Sequence, residues 1–344
     1  MAISGSKPAL SLVVDNAGAR PRRKRRRSGR EEAAPTAPAP VRAELPTLEP
    51  DMTAAAACHA ILKSCFMHLL DNRLPVVKGE DPEAVHQARV ALRRLRAAIA
   101  MFRPLVPGHE LRHLGDEARW LAGELGRLRD LDVFLSEIFA PVGDNLAEES
   151  GVAAYRMAAR TMREEARERA RRALRSRRFQ LWRQRFQSWL ASDIAPPLAT
   201  AIPSDTVGAL YQPIAVFAAA VLTRRDRQAR RRGRHLARLE TEERHELRLS
   251  LKKLRYASEF FVRIFPAGDA RRYAKRLARL QDGLGYLNDR AVAQPLMAGI
   301  EQRIGRNRLA DMSEAIQSVV ENAGFHVVRE YVGHGVGRQM HEDP

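Results

Sequence analysis

From about residue 52 onward, apolar positions recur every three or four residues through most of the chain, the spacing of amphipathic helices. "TAAAACHAILKSCFMHLLDN" (53–72) carries the pattern and stops at Asn72. "DPEAVHQARVALRRLRAAIAMF" (81–102) opens with Asp81 as a helix cap and Pro82 at the first helical position, and ends before Pro104, a combination that marks a helix start and stop. Further helices are expected over 109–139, with a break near Gly126, then over 148–174, 179–192, 206–232, 241–264, 268–301 and near 307–322. No segment alternates apolar and polar residues for a useful length. The expected fold class is all-α.

The first 50 residues differ. "PRRKRRRSGR" is followed by a Pro- and Ala-rich stretch almost free of large apolar side chains, a composition that cannot offset the entropy of ordering. Residues 1–50 are therefore read as a disordered basic arm, 51–325 as one helical domain (halves of about 51–200 and 205–325), and 326–344 as a tail.

Within the helical part a repeat emerges. "VHQARVALRRLRAAIAMFRPLVP" aligns with "RHELRLSLKKLRYASEFFVRIFP" at a constant shift of 159 residues. His86 meets His245, Arg89 meets Arg248, Arg96 meets Arg255 and Phe102 meets Phe261; further on, "LGRLRDLDV" (125–133) meets "LGYLNDRAV" (284–292) without a gap. Only two copies exist, which suggests duplication of a helical unit rather than a solenoid. Two such units pack most simply about a pseudo-twofold axis.

Projected at about 100° per residue, His86, Arg89, Arg93 and Arg96 share one stripe, while Leu92, Leu95, Ile99 and Phe102 form a core-facing one. The second copy repeats both, with His245, Arg248, Lys252 and Arg255 as its basic stripe. Arg94 and Lys253 stand off it. Like charges crowded beside a core cost stability unless an anion neutralises them, and arginine's forked donors match phosphate oxygens. Asp130 and Asp289 could orient stripe arginines by ion pairing or could cap helices. "RRDRQARRRGR" (224–234) adds Arg224, Arg225 and Arg231 as a possible extension of the basic surface, and "RTMREEARERARRALRSRRF" (160–179), mixed in sign, reads mostly as a solvated helix.

Charge sharpens this. The 344 residues carry a formal net charge of +18, which points to a polyanionic partner. The two cysteines, Cys58 and Cys65, lie in an apolar helical stretch and read as reduced core residues. No apolar run approaches a membrane span, and the start lacks the cationic and apolar regions of a signal peptide, so a cytoplasmic location is expected. Neither His86 nor His245 has a partner at metal-ligand spacing; no metal or cofactor is expected.

These paired motifs, each followed by an "LG…D" segment, resemble the CHAD domain, the conserved histidine α-helical domain, and "LQDGLGYLND" (280–289) and "FAAAVL" (217–222) resemble its second half. The resemblance covers roughly residues 55–300. It implies two four-helix bundles related by pseudo-twofold symmetry, binding of inorganic polyphosphate in a basic groove or pore, and targeting to polyphosphate granules. It also implies as binding residues His86, Arg89, Arg93, Arg94 and Arg96 with His245, Arg248, Lys252, Lys253 and Arg255. The triphosphate-tunnel domain that precedes many relatives has no counterpart in the low-complexity arm. The expected function is non-catalytic polyphosphate binding, with oligomeric state open. A nucleic-acid-binding protein is the alternative, supported by the basic arm but lacking stacking aromatics and Asn or Gln on the stripes. A phosphohydrolase ranks lower, since Asp130, Asp132 and Asp289 are too scattered for a metal cluster and no phosphate-binding glycine loop is present.

Overall fold

Helices form where the apolar spacing places them, and their ends carry recognisable stops. The structure, a computed structural model, describes residues 38–106, 109–143, 150–192 and 204–304. The expected helix near 307–322, the tail 326–344 and residues 1–37 of the arm lie outside these. In chain order the elements are α1 (Ala54–Asp71), α2 (Arg73–Lys78), α3 (Pro82–Phe102), α4 (Glu110–Val133), a π-helical turn (Phe134–Phe139), α5 (Ala140–Gly143), α6 (Ser150–Arg175), α7 (Arg177–Ala191), α8 (Ser204–Tyr211), α9 (Ile214–Arg232), a short 3-10 turn (Leu236–Arg238), α10 (Thr241–Phe260) and α11 (Ala267–Ile304). Among the described residues no strand forms, and the all-α expectation holds.

Local signals explain the boundaries. Asp81 accepts the Glu83 N–H at 2.8 Å and Pro82 starts α3, satisfying one free backbone donor of the first turn. Glu240 and Glu243 form a reciprocal capping box at the start of α10. The expected helix over 206–232 divides at Pro213, which precedes α9. The expected break near Gly126 is absent: α4 runs through it unbroken.

In the first half, α3 packs between α1 and α4, with α6 against the other side of α4; in the second, α10 packs between α9 and α11. The halves meet through α3 on α10, α6 on α11 and α1 on α9. Adding 159 to the bounds of α1 and α3 gives 213–230 and 241–261, close to the bounds of α9 and α10; the shifted start of α4, 269, falls near the start of α11, which runs on to Ile304. Phe102 and Phe261, the paired ends of the motif helices, both lie fully buried against Phe217, with ring centroids 5.1 and 6.3 Å away. Elsewhere Phe66 stacks on Phe186 at 4.3 Å, and buried Trp182 donates its Nε1–H to the Leu114 carbonyl at 3.1 Å. Cys58 and Cys65 are buried free thiols, as expected.

The arm does not extend to residue 50 as expected. From residue 38 the chain is described, and from Val41 it docks onto the helices. The Val41 N–H donates to Asn72 Oδ1 at 3.0 Å, Asn72 Nδ2 donates back to the Val41 carbonyl at 2.8 Å, and His68 Nε2 lies 3.0 Å from the same oxygen. Further along, Leu48 is buried, and Ile214 N–H donates to the Met52 carbonyl. This strap is held by hydrogen bonds of its backbone, to the Asn72 and His68 side chains and to Ile214, and by buried Leu48 with Leu45 and Met52 packed beside it, a hold that its Pro- and Ala-rich composition does not signal. Replacing buried Asn72 by Ala removes both bonds to Val41 and should destabilise the protein by about 1–3 kcal/mol, with faster amide exchange at Val41. Urea unfolding and hydrogen exchange check both, and native-like protection at Val41 in N72A would contradict the docking.

Candidate functional site

The stripe arginines of α3 face α4 across a cleft. Arg89, Arg93 and Arg96 form one wall, and Arg119, Ala122, Gly123, Gly126, Arg127 and Asp130 of α4 the other. Met162 of α6 and Pro295 and Leu296 of α11 close the far side, and the cleft has a volume of about 700 Å³. Five arginines therefore meet one carboxylate. Two like charges about 6 Å apart repel by about 3 kcal/mol at an effective dielectric constant of roughly 20, so this lining favours a bound polyanion.

Arg89 is the most constrained of the five. Its Nη2 lies 3.7 Å from Asp130 Oδ1 and its Nη1 donates to the Ala122 carbonyl at 3.5 Å. The guanidinium thus lies across the α4 backbone at Gly126, where a Cβ would come within 2.7 Å of Nη1. Burial, then Arg93 and Arg129, lower the Arg89 pKa, with Asp130 opposing them. Burial raises the Asp130 pKa against the pull of Arg89 and Arg129. Arg96 is lowered by burial and by Arg119.

His86 stands one turn before Arg89 and does not line the cleft. Burial, then Arg129, lower its pKa, with Glu83 opposing and Arg93 and Arg89 adding to the shift. It is therefore neutral at pH 7 in the free protein.

Other expected residues lie elsewhere. Arg94 is buried at the junction of the halves, its guanidinium carbon 5.4 Å from the Phe260 ring centroid, and its Nε and Nη2 have no hydrogen-bond partner. It turns away from the cleft because α10 covers that flank of α3. Arg225 is also buried, donating from Nη1 to the Lys253 carbonyl at 2.5 Å; burial and Arg224 lower its pKa to about 10. Arg224 and Arg231 are exposed and none of these three lines the cleft.

On α10, His245 and Lys253 are exposed, while Arg248, Lys252 and Arg255 are partly buried. Arg255 pairs with Glu259 at 2.9 Å. The stretch that corresponds at the 159-residue shift to the cleft wall of α4 is 278–289, of which the side chains of 281–289, Asp289 included, lie outside those described. Sequence reasoning missed Arg119 and Arg127, which follow the α4 face marked by Ala122, Gly123, Gly126 and Asp130 at helical spacing.

Fold and site together define an all-helical protein with an arginine-lined cleft. The family profile of the CHAD domain matches residues 60–298, more than half of the chain. The chain belongs to the CHAD domain family. The crystal structure of the CHAD domain from the plant Ricinus communis superposes with a TM-score of 0.69 at 27% identity, covering 83% of this chain and 92% of that one. PptA from Streptomyces chartreusis shares the fold, with a TM-score of 0.50 and 18% identity over 79% of this chain and 99% of that one.

A second profile, that of metallopeptidase family M24, matches residues 290–344, a stretch that includes the tail. Short similarities connect the chain to methionine aminopeptidases. That of Clostridium acetobutylicum is 56% identical over 46 residues, 13% of this chain and 18% of the relative. That of Bacillus subtilis is 53% identical over 51 residues, 15% and 21%. The chain spans less than a third of the length of these curated relatives.

Substituting Gly126 by Ala should leave stability equal or raise it by roughly 0.5–1 kcal/mol through the helix interior, while displacing the flexible end of Arg89. Asp130, deprived of that counter-charge, should then titrate at higher pH than in the wild type. Carboxyl carbon NMR reads the shift; an unchanged Asp130 titration would show that Gly126 does not position Arg89.

Proposed function

We propose that this protein binds inorganic polyphosphate without chemical turnover, in the cleft between α3 and α4. The observation that carries this reading is the convergence of Arg89, Arg93, Arg96, Arg119 and Arg127 on one cleft with Asp130 as its single acidic lining residue. A chain of phosphates supplies closely spaced negative charges to arginine donors that the fold holds apart. CHAD family membership supports the same ligand. The helices α3 and α10, matching in sequence and in bounds at one shift, support reading the domain as two related halves with α10 contributing to the same basic surface. In the cleft, Asp130 is turned toward Arg89 rather than toward a position for activating water, which favours binding over hydrolysis. Attachment to polyphosphate granules follows from such binding.

Replacing Arg93 and Arg119 together by Gln should weaken polyphosphate binding by roughly 10²- to 10⁴-fold, since each charge-assisted contact contributes about 1.5–3 kcal/mol and about 1.4 kcal/mol is tenfold. Replacing exposed Arg227 and Arg276, which lie outside the cleft, removes the same charge and should change affinity by less than threefold. Isothermal titration compares them; equal losses in both pairs would reduce the effect to net charge. By analogy with nucleic acids, the logarithm of affinity should fall with that of salt at a slope of roughly −3 to −4 for four to five phosphates engaged. Single-stranded DNA at matched phosphate concentration should compete poorly.

The lowered pKa of His86 gives a pH dependence with a definite sign. A bound polyanion offsets the field of Arg89, Arg93 and Arg129, raising the His86 pKa, so binding takes up a proton. Affinity should therefore rise as pH falls from 7.5 to 6, and His86→Gln should flatten this rise. A pH dependence identical in H86Q would remove His86 from the site.

A further inference from the structure

A second group of arginines sits away from the cleft, where α2 meets the turn between α6 and α7. Leu174 of this region lies twelve residues along α6 from cleft-lining Met162, about 18 Å of helix axis. Several arginines on α6 and α7 face a carboxylate: Arg163 bonds Asp132, Arg167 and Arg171 bond Glu80, Arg178 bonds Glu117 and Arg185 bonds Glu110. Arg73, Arg175 and Arg183 do not. Among the described residues, none of the three is in an ion pair.

Their geometry is partly fixed. Arg73 Nε donates to the Leu174 carbonyl at 3.1 Å, and its guanidinium carbon lies 5.6 Å from the Phe179 ring centroid. Arg175 Nη2 donates to the Val77 carbonyl at 3.2 Å. Each is thus tied by one bond to a backbone oxygen, which aims the side chain without neutralising it. Arg183, one turn beyond Phe179, has a buried Nε with no hydrogen-bond partner. Arg73 thus lies beside Leu174, the neighbour of Arg175, and over Phe179, one turn from Arg183; burial and the charges of Arg183 and Arg175 lower its pKa. Two cations tied to neutral carbonyls and a third beside them with a buried donor unsatisfied have the makings of an anion site.

We propose that Arg73, Arg175 and Arg183 form a second, separate site for phosphate groups, such as those of a short inorganic phosphoanhydride. The inference rests on this cluster and is independent of the cleft reading. Forked guanidinium donors suit tetrahedral phosphate oxygens, and the Arg183 Nε–H supplies a donor that no protein group accepts.

The test titrates inorganic triphosphate into the full chain by calorimetry and follows arginine Nε–H signals by NMR. The wild type should show two binding events. Arg183→Gln, which breaks no hydrogen bond of the Nε group, should weaken one event at least tenfold without lowering the melting temperature, and its partner Arg73 should cease to shift on titration. R93Q/R119Q should remove the other event and leave this one. The proposal is overturned if R183Q keeps both events at wild-type affinity, or if the wild type shows a single event that R93Q/R119Q abolishes. Should R93Q/R119Q bind as the wild type does while R183Q loses an event, the cleft reading fails and the second site stands.

Discussion

Arginine keeps its charge at any physiological pH, and a helical fold that lines a cleft with five of them must answer that charge from inside or from outside. Here the inside answer is slight: Asp130 beside Arg89 within the cleft, and exposed Asp116 at 3.9 Å from Arg119. Arg89 reaches Asp130 by lying across α4 at Gly126, where a Cβ would displace its guanidinium. The small residues Ala122, Gly123 and Gly126 keep the α4 wall low, while the apolar stripe of α3, with Leu92 and Leu95 fully buried, anchors the helix that presents the other arginines. Core packing and charge presentation are thus two faces of one helix, and the remaining field is left for a ligand.

The same residue type serves another purpose elsewhere in the molecule, and burial decides which. Arg225 is buried and donates to a backbone carbonyl on α10. Arg94 is buried between the halves over Phe260. Arg163 reaches buried Asp132 at 2.6 Å, and Arg171 ties α6 to Glu80 and to the Gly79 carbonyl ahead of α3. These cations brace helices. The cleft arginines differ in sharing a hollow with one another, where five of them meet one lining carboxylate.

Much of this was legible in the sequence. The helical spacing, the Asp81–Pro82 start and the 159-residue shift fixed α3 and α10 and the α3 stripe of Arg89, Arg93 and Arg96, because those signals are local. Arg119 and Arg127 were not singled out, since their meaning comes from α4 packing beside α3, a tertiary fact. Arg94 projects off the basic stripe on a helical wheel, yet its burial follows from α10 lying on that flank. The strap from residue 38 falls in the stretch expected to be a disordered arm, because its hold is the Asn72 and His68 side chains on the Val41 backbone and the burial of Leu48, which average composition does not record. The mixed-sign helix over 160–179 looked solvated, but Arg163, Arg167 and Arg171 find carboxylates on neighbouring elements.

The central claim is that the α3–α4 arginines hold a chain of phosphates, and it is tested most directly by the structure of the protein with a defined inorganic polyphosphate of about ten units bound. The account predicts phosphate groups within hydrogen-bond distance of Arg93, Arg96, Arg119 and Arg127, with Arg89 reaching the chain beside Asp130. Polyphosphate bound only on other surfaces, with this cleft empty, would contradict it.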